Sequence, residues 1–323
     1  MTKEDLENME LPEISVNRNE EIFVEKYRPQ YLRDMILPES LRKDFEAWFS
    51  EGQIPNILLT SKTPGLGKSA LANVIINELE AEALFINASL NSNIDTLRSK
   101  IQGFVSTASV ADAPKIVVLD EFDFANANST QPALRGFIEE FSANARFILT
   151  ANYKDKIIEP IQNRMLDIDF DVIFKEHPEL AKDIFKKVLT ILHYENIEYN
   201  IEDVKYLIKK YYPSIRKIIM KIQQHSASGV LNLHKESLDV SGLVETLIEN
   251  VKKKDFIEMR KNIQKLSDSS ILYLEFYENL EVFPKEKWPE IVLILARYQA
   301  NDPFVRDRVI NTAACLTEIM QTI

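Results

Sequence analysis

The residues of this chain best suited to chemistry are a lysine and a serine that follow a glycine-containing turn, in the run Ser61-Lys62-Thr63-Pro64-Gly65-Leu66-Gly67-Lys68-Ser69. Two glycines let the backbone fold back with its N–H groups pointing inward. The helix that follows the loop adds unpaired N–H groups and the positive end of a dipole, which together cradle phosphate. Pro64, Gly65, Leu66, Gly67, Lys68, Ser69 and Ala70 are therefore the candidate nucleotide contacts, with Lys68 reaching the terminal phosphates and the Ser69 hydroxyl holding Mg²⁺. A second group is the acidic pair Asp120-Glu121, which ends the apolar run Ile116-Val117-Val118-Leu119. Asp120 is placed to hold Mg²⁺ directly or through water, and Glu121 to orient and polarise an attacking water. One departure stands out: Lys62 occupies the position of the first glycine in the usual G-x-x-x-x-G-K-[ST] pattern.

These groups need a strand, a tight loop and a helix in that order. Ile57-Leu58-Leu59 supplies the strand, and the spacing in Ala70-Leu71-Ala72-Asn73-Val74-Ile75-Ile76 is helical. Four consecutive apolar residues before Asp120 suit a parallel strand buried on both faces, with the acids emerging at its C-terminal end. Ala83–Asn87 reads as a further short buried strand, and Phe147–Ala151 as another that ends at Asn152. Helices are expected over Leu41–Phe49, with Trp48 in the core, and over Ser129–Phe141, with Leu134, Phe137, Ile138 and Phe141 as the apolar stripe. Another is expected around Ile94, Leu97, Ile101 and Phe104. The last places Arg98 and Lys100 off the buried stripe, on a basic face.

At 323 residues and 45% hydrophobic content, the chain is long enough for two or three domains with substantial cores. Its net charge of −11 argues against coating DNA by bulk attraction, while leaving a local basic face open. A single cysteine, Cys315, suits a reducing compartment. No apolar run approaches a membrane span, and Met1–Glu21 lacks the basic and apolar regions of a signal peptide, so a cytoplasmic protein without membrane contact is expected. The four histidines show no metal-ligand spacing.

Upstream of the phosphate loop lies Val24-Glu25-Lys26-Tyr27-Arg28-Pro29. Together with the loop and the Asp-Glu strand, this box resembles the opening box of clamp-loader ATPases, the replication factor C type of AAA+ protein. Within that type the chain is most similar to the large ATPase subunit of T4-type bacteriophage loaders. The resemblance covers about residues 22–230 through ordered motifs. It implies an α/β P-loop NTPase (AAA+) domain with a parallel sheet over 21–172, after a flexible segment over 1–20. A small helical lid over 173–229 and a helical collar over 230–323 follow.

Site roles follow from the same resemblance. Val24, Glu25, Lys26, Tyr27 and Ile36 would lie against adenine, with Arg28-Pro29 fixing the turn. Asn152 corresponds to sensor 1 and Arg216, which follows Ser214 as helix cap, to the lid arginine of sensor 2. Arg164, in Gln162-Asn163-Arg164-Met165, matches the arginine finger that reaches the ATP of the next protomer, although Asn163 and Met165 depart from the family's Ser-Arg-Cys. Arg135 is similar to an arginine directed at a neighbouring subunit, with a plain surface role as the alternative. Arg98 and Lys100 match basic residues that track DNA phosphates. The implied activity is a DNA-stimulated ATP hydrolase that opens a sliding clamp and loads it onto primer-template DNA. Copies of itself, a small accessory subunit, the clamp and DNA would be its partners, in the host cytoplasm if phage-encoded. An AAA+ remodeller acting on proteins is the main alternative, and an ATP-binding scaffold without turnover is a second.

Overall fold

The computed structural model describes residues 11–89, 94–107, 113–233, 241–265 and 270–323. The first ten residues of the expected lead-in, the side chain of Ile94 and His234 lie outside that range. The chain divides into two compact units that meet at Leu231 and Asn232.

In chain order the first unit contains α1 (Phe23–Lys26), α2 (Glu39–Ser50), β1 (Ile57–Thr60), α3 (Lys68–Glu78), β2 (Glu82–Asn87), α4 (Ile94–Ser106), β3 (Lys115–Asp120) and α5 (Thr130–Glu140). Then come β4 (Arg146–Ala151), α6 (Glu159–Gln162), β5 (Leu166–Asp169), α7 (Phe170–Glu176), α8 (Leu180–Tyr194), α9 (Ile201–Tyr211) and α10 (Ile215–His225).

The five strands pair in parallel in the order β2-β3-β4-β1-β5. Uninterrupted apolar runs produce this arrangement: Ile57 to Leu59, Ile116 to Leu119 and Phe147 to Leu149 are all essentially inaccessible, as a sheet covered on both faces requires. β1 lies between β4 and β5, and β4 lies beside β3, so the phosphate loop after β1 opens near the acids that end β3 and the Asn152 that follows β4. Ligands of open parallel sheets bind at such carboxyl ends.

Two expectations need correction. β2 is an edge strand, so of its residues Ile86 is buried while Phe85 is 55% exposed. In α2 the core residue is Phe45, and Trp48 stays half-buried with its ring edge-on to Phe45 at 5.1 Å. Leu97 and Ile101 of α4 and Leu134, Phe137 and Ile138 of α5 pack as expected into one cluster with β3 and β4, whereas Phe104 and Phe141 are only partly buried against it and Val105 takes the buried place on α4.

Helices α8 to α10 form a small three-helix layer. On α8 the buried residues include Leu180, Ile184, Val188 and Ile191, with Lys187 among them. Ser214 precedes α10 but makes no side-chain cap; its hydroxyl donates instead to the Pro64 carbonyl at 2.9 Å. Gln223 of α10 grips the N-terminal box from both sides, accepting from the Phe23 N–H and donating to the Glu21 carbonyl, each at 3.0 Å.

The second unit is α11 (Ser241–Lys253), α12 (Phe256–Ile263), α13 (Ser270–Glu278), α14 (Trp288–Asn301) and α15 (Arg308–Thr322). Leu247, Val251, Met259, Leu272, Phe276 and Leu316 close its core. A buried polar junction fixes the packing: Tyr273 donates to Asp302 at 3.0 Å, and the Asn311 amide donates to both Tyr273 Oη and Asp302. Leu293, Phe304 and Ile310 remain largely exposed.

Candidate active site

Gly65 and Gly67 take φ of +83° and +114°, backbone that side chains rarely adopt, and these two residues shape the loop. Lys62 needs no such freedom. The positive-φ residues other than glycine among those described are Glu80, Glu121, Asn196 and Lys254, so the missing first glycine is no defect here. The Asp171 carboxylate instead accepts from the Lys62 and Thr63 N–H groups and fastens the loop to α7. Asp171 is held in turn by Asp169, which caps α7 by accepting from the Asp171 and Val172 N–H groups.

The loop wraps a cleft of about 300 Å³. Lys68, at the first turn of α3, donates to the Ser61 carbonyl at 3.0 Å and to Asn152 Oδ1 at 3.1 Å. Burial pushes its pKa down, against the opposing pull of Asp171, Asp123 and Asp120. Ser69 donates to Asp120 Oδ1 at 3.1 Å, which brings two oxygen donors together at the ends of α3 and β3. Oxygen pairs of this kind suit a hard cation such as Mg²⁺.

Thr150 of β4 ties the acidic end together. Its hydroxyl donates to Asp120 and accepts from the Glu121 N–H at 3.0 Å. Glu121 itself is in left-handed backbone, φ +55° and ψ +43°, a strain of about 1–2 kcal/mol for a residue with a side chain. Asn87, at the end of β2, donates to its carboxylate at 3.4 Å.

Of the residues expected to meet the nucleotide, Val24, Glu25, Tyr27 and Ile36, the whole stretch from Pro64 to Ala70, Asp120, Glu121, Asn152 and Arg216 all line this one cleft. Arg216 docks directly on the loop, its N–H donating to the Gly65 carbonyl at 3.2 Å. A Cβ on Gly65 would come within 2.7 Å of Arg216 Cβ, so the glycine also makes room for α10. Lys26 is the exception. It turns away and pairs with Glu195 at 2.6 Å, as does the buried Tyr27 hydroxyl.

The remaining candidates lie outside the cleft. Arg98 and Lys100 are exposed on α4. Arg164 is 32% exposed and binds Glu139 through two of its nitrogens, with Nε at 2.8 Å, while Arg135 approaches the same carboxylate at 3.7 Å. The paired arginines hold Glu139 below the usual carboxylate range.

Sequence reasoning missed Thr150, Asn87, Asp171 and Lys187. Only Lys187 left a signal, being a charged residue at helical spacing from Leu180, Ile184 and Ile191.

A parallel sheet, a phosphate loop after β1 and an acidic pair at the end of β3 define a P-loop ATPase, and residues 58–172 match the ATPase family associated with various cellular activities (AAA). The chain is 36% identical to the sliding-clamp-loader large subunit of Escherichia phage RB69 over 253 residues, covering 76% of this chain and 78% of that one. The corresponding protein of Enterobacteria phage T4 is 35% identical with the same coverage, and the replication factor C small subunit of Thermofilum pendens is 32% identical over 77% of both chains. Among solved structures, a Thermotoga maritima RuvB variant superposes with a TM-score of 0.51 at 16% identity, over 70% of this chain and 80% of that one; this likeness is one of fold. The chain thus belongs to the sliding-clamp-loader family of AAA ATPases and is an ATP-hydrolysing enzyme.

Proposed function

We propose that this chain is the ATPase subunit of a sliding-clamp loader, working in DNA replication with ATP and Mg²⁺ on primer-template DNA. The observation that carries the residue roles is the convergence of Lys68, Ser69, Asp120, Glu121, Asn152 and Arg216 on a single cleft. Val24, Tyr27 and Ile36 provide an apolar slot for the base. The phosphates lie on the N–H groups of Gly65 to Ser69, with Lys68 at the terminal ones. Ser69 and Asp120 would hold Mg²⁺, which when bound neutralises charge on the phosphates.

Glu121 accepts a proton from the attacking water, and Asn152 beside Lys68 orients the terminal phosphate. In the resting geometry Asn87 engages the Glu121 carboxylate. Releasing that bond is one way for DNA contact to start hydrolysis. Arg164 lies outside its own cleft and is assigned to the neighbour's, where an arginine finger is worth roughly 10³–10⁵ in rate. Arg135 joins it at that border through the shared Glu139.

ATP binding then joins copies of the chain, with a small accessory subunit, into a ring or spiral held by the collar. Arg98 and Lys100 hold duplex phosphates inside it, reading shape rather than sequence. Hydrolysis loosens the spiral and leaves the clamp closed on DNA. No helix among the described residues is long and apolar enough to cross a membrane, and we place the assembly in the cytoplasm, that of the host if the chain is phage-encoded. The test is Glu121→Gln: ATP binding should persist while clamp- and DNA-stimulated turnover is lost. Turnover that survives would remove Glu121 from the role.

A further inference from the structure

Lys187 is a buried cation with too few partners. It lies on the buried stripe of α8, 6% exposed, yet an ammonium has three N–H donors. The single acceptor found for Nζ among the described residues is the Asp34 carbonyl oxygen, at 3.0 Å. The Asp34 carboxylate offers no relief, because it accepts from the N–H groups of Ser15, Gln30 and Tyr31, each at 3.0 Å. Burial accordingly pulls the Lys187 pKa down to about 8, only partly offset by the Asp34 charge. A buried donor without an acceptor costs free energy, so the remaining Nζ donors are available to a group that enters the cleft Lys187 lines.

What supplies it can be read from the position. Lys187 lines the nucleotide cleft. Through Asp34 it sits against the segment that continues into Met35 and Ile36, which with Val24, Ile215 and Ile219 form the apolar part of the wall. Lys68 donates to Ser61 and Asn152 at the strand ends, whereas Lys187 donates to Asp34 beside Met35 and Ile36, so the two lysines are held by different parts of the cleft wall. An apolar stretch of wall with a lysine donor beside it fits an aromatic heterocycle that carries ring-nitrogen acceptors.

We propose that Lys187 donates a hydrogen bond to a ring nitrogen of the purine base and so orients the nucleotide while joining α8 to the segment around Asp34. This rests on the cleft being the ATP site. Because one Lys187 donor is on the Asp34 carbonyl and another on the base, an occupied base ties α8 to residues 34–36 of the cleft wall.

The experiment is equilibrium binding of ATP and its 1-deaza, 3-deaza and 7-deaza analogues to the full chain, unmodified and as Lys187→Met and Lys187→Arg. On the unmodified chain one analogue should bind about tenfold or more weakly than ATP, as loss of a hydrogen bond to a charged donor implies, with the other two close to ATP. Lys187→Met should weaken ATP by a similar factor and bind ATP and that analogue alike, and Lys187→Arg should restore part of the discrimination. Three analogues that bind the unmodified chain equally well, or a discrimination that persists in Lys187→Met, would overturn the proposal. The first comparison needs no variant to fold. If ATP itself fails to bind the unmodified chain, the nucleotide-site reading falls with it; if ATP binds without discrimination, only the role of Lys187 falls.

Discussion

A few side chains carry opposing demands at the acidic end of the cleft. In the proposed role Glu121 must be free enough to meet water yet fixed enough to aim at it; its left-handed backbone is pinned by Thr150 and its carboxylate accepts from Asn87. Thr150→Val removes the donor to Asp120 and the acceptor for the Glu121 N–H while keeping the volume. Turnover should therefore fall about tenfold or more with the fold intact, as assayed by steady-state phosphate release alongside the melting temperature. The sequence showed Lys68 and Ser69 because their place in a strand-loop-helix is itself the chemistry, and Asp120 and Glu121 because paired acids end an uninterrupted apolar run. It concealed Thr150 and Asn87, because a polar residue ending a strand has no distinctive local pattern and its partner is brought by sheet order, β2 beside β3 and β3 beside β4. Lys26 does not line the cleft for a related reason: adjacency in the box says nothing of which way each side chain faces, and Glu195 pairs with it.

Between elements, the angle of the lid is set where α10 meets the phosphate loop. Gly65→Ala would place a Cβ within 2.7 Å of Arg216 Cβ at a φ of +83°, so nucleotide affinity should drop by at least an order of magnitude. Lys62→Ala, at a position where the motif departs from its usual glycine, should have little effect; fluorescent-nucleotide titration of both variants checks the contrast. On α8, the buried Lys187 predicts a pH dependence. Its native pKa of about 8 lies below the 10.5 of an exposed lysine. Between these values the unfolded chain holds the extra proton, so this residue makes stability rise with pH. The stability of the nucleotide-free chain relative to Lys187→Met should increase from pH 8 to 10.5 in urea unfolding, and parallel curves would contradict the assignment. Lys187 was visible as a charge on an apolar stripe, a pattern that reads as an ordinary helix until the cleft beside it is known. Helix periods were otherwise faithful, since burial of one face decides them locally, whereas the exposure of Phe85 depended on β2 being at the sheet edge.

For the whole molecule, the sequence told of an assembly only through resemblance, because the arginine proposed to complete the site would come from a different copy. In the single chain Arg164 rests on Glu139, away from its own cleft, as a finger directed outward would. On α4, Arg98→Ala and Lys100→Ala should weaken DNA binding about equally across sequences, each lost phosphate contact flattening the salt dependence by about 0.9. An unchanged slope would return both residues to a merely solvated face. Most direct is a mixing experiment on the loader reconstituted with accessory subunit, clamp and primed DNA, using Arg164→Ala, which keeps its pocket, and Lys68→Met, which keeps its finger. Each variant alone should be nearly inactive, and a mixture of the two should recover ATPase at borders where an intact pocket meets an intact finger. A mixture that recovers nothing, or an unassembled chain that hydrolyses ATP at the full stimulated rate, would contradict a site shared between neighbours.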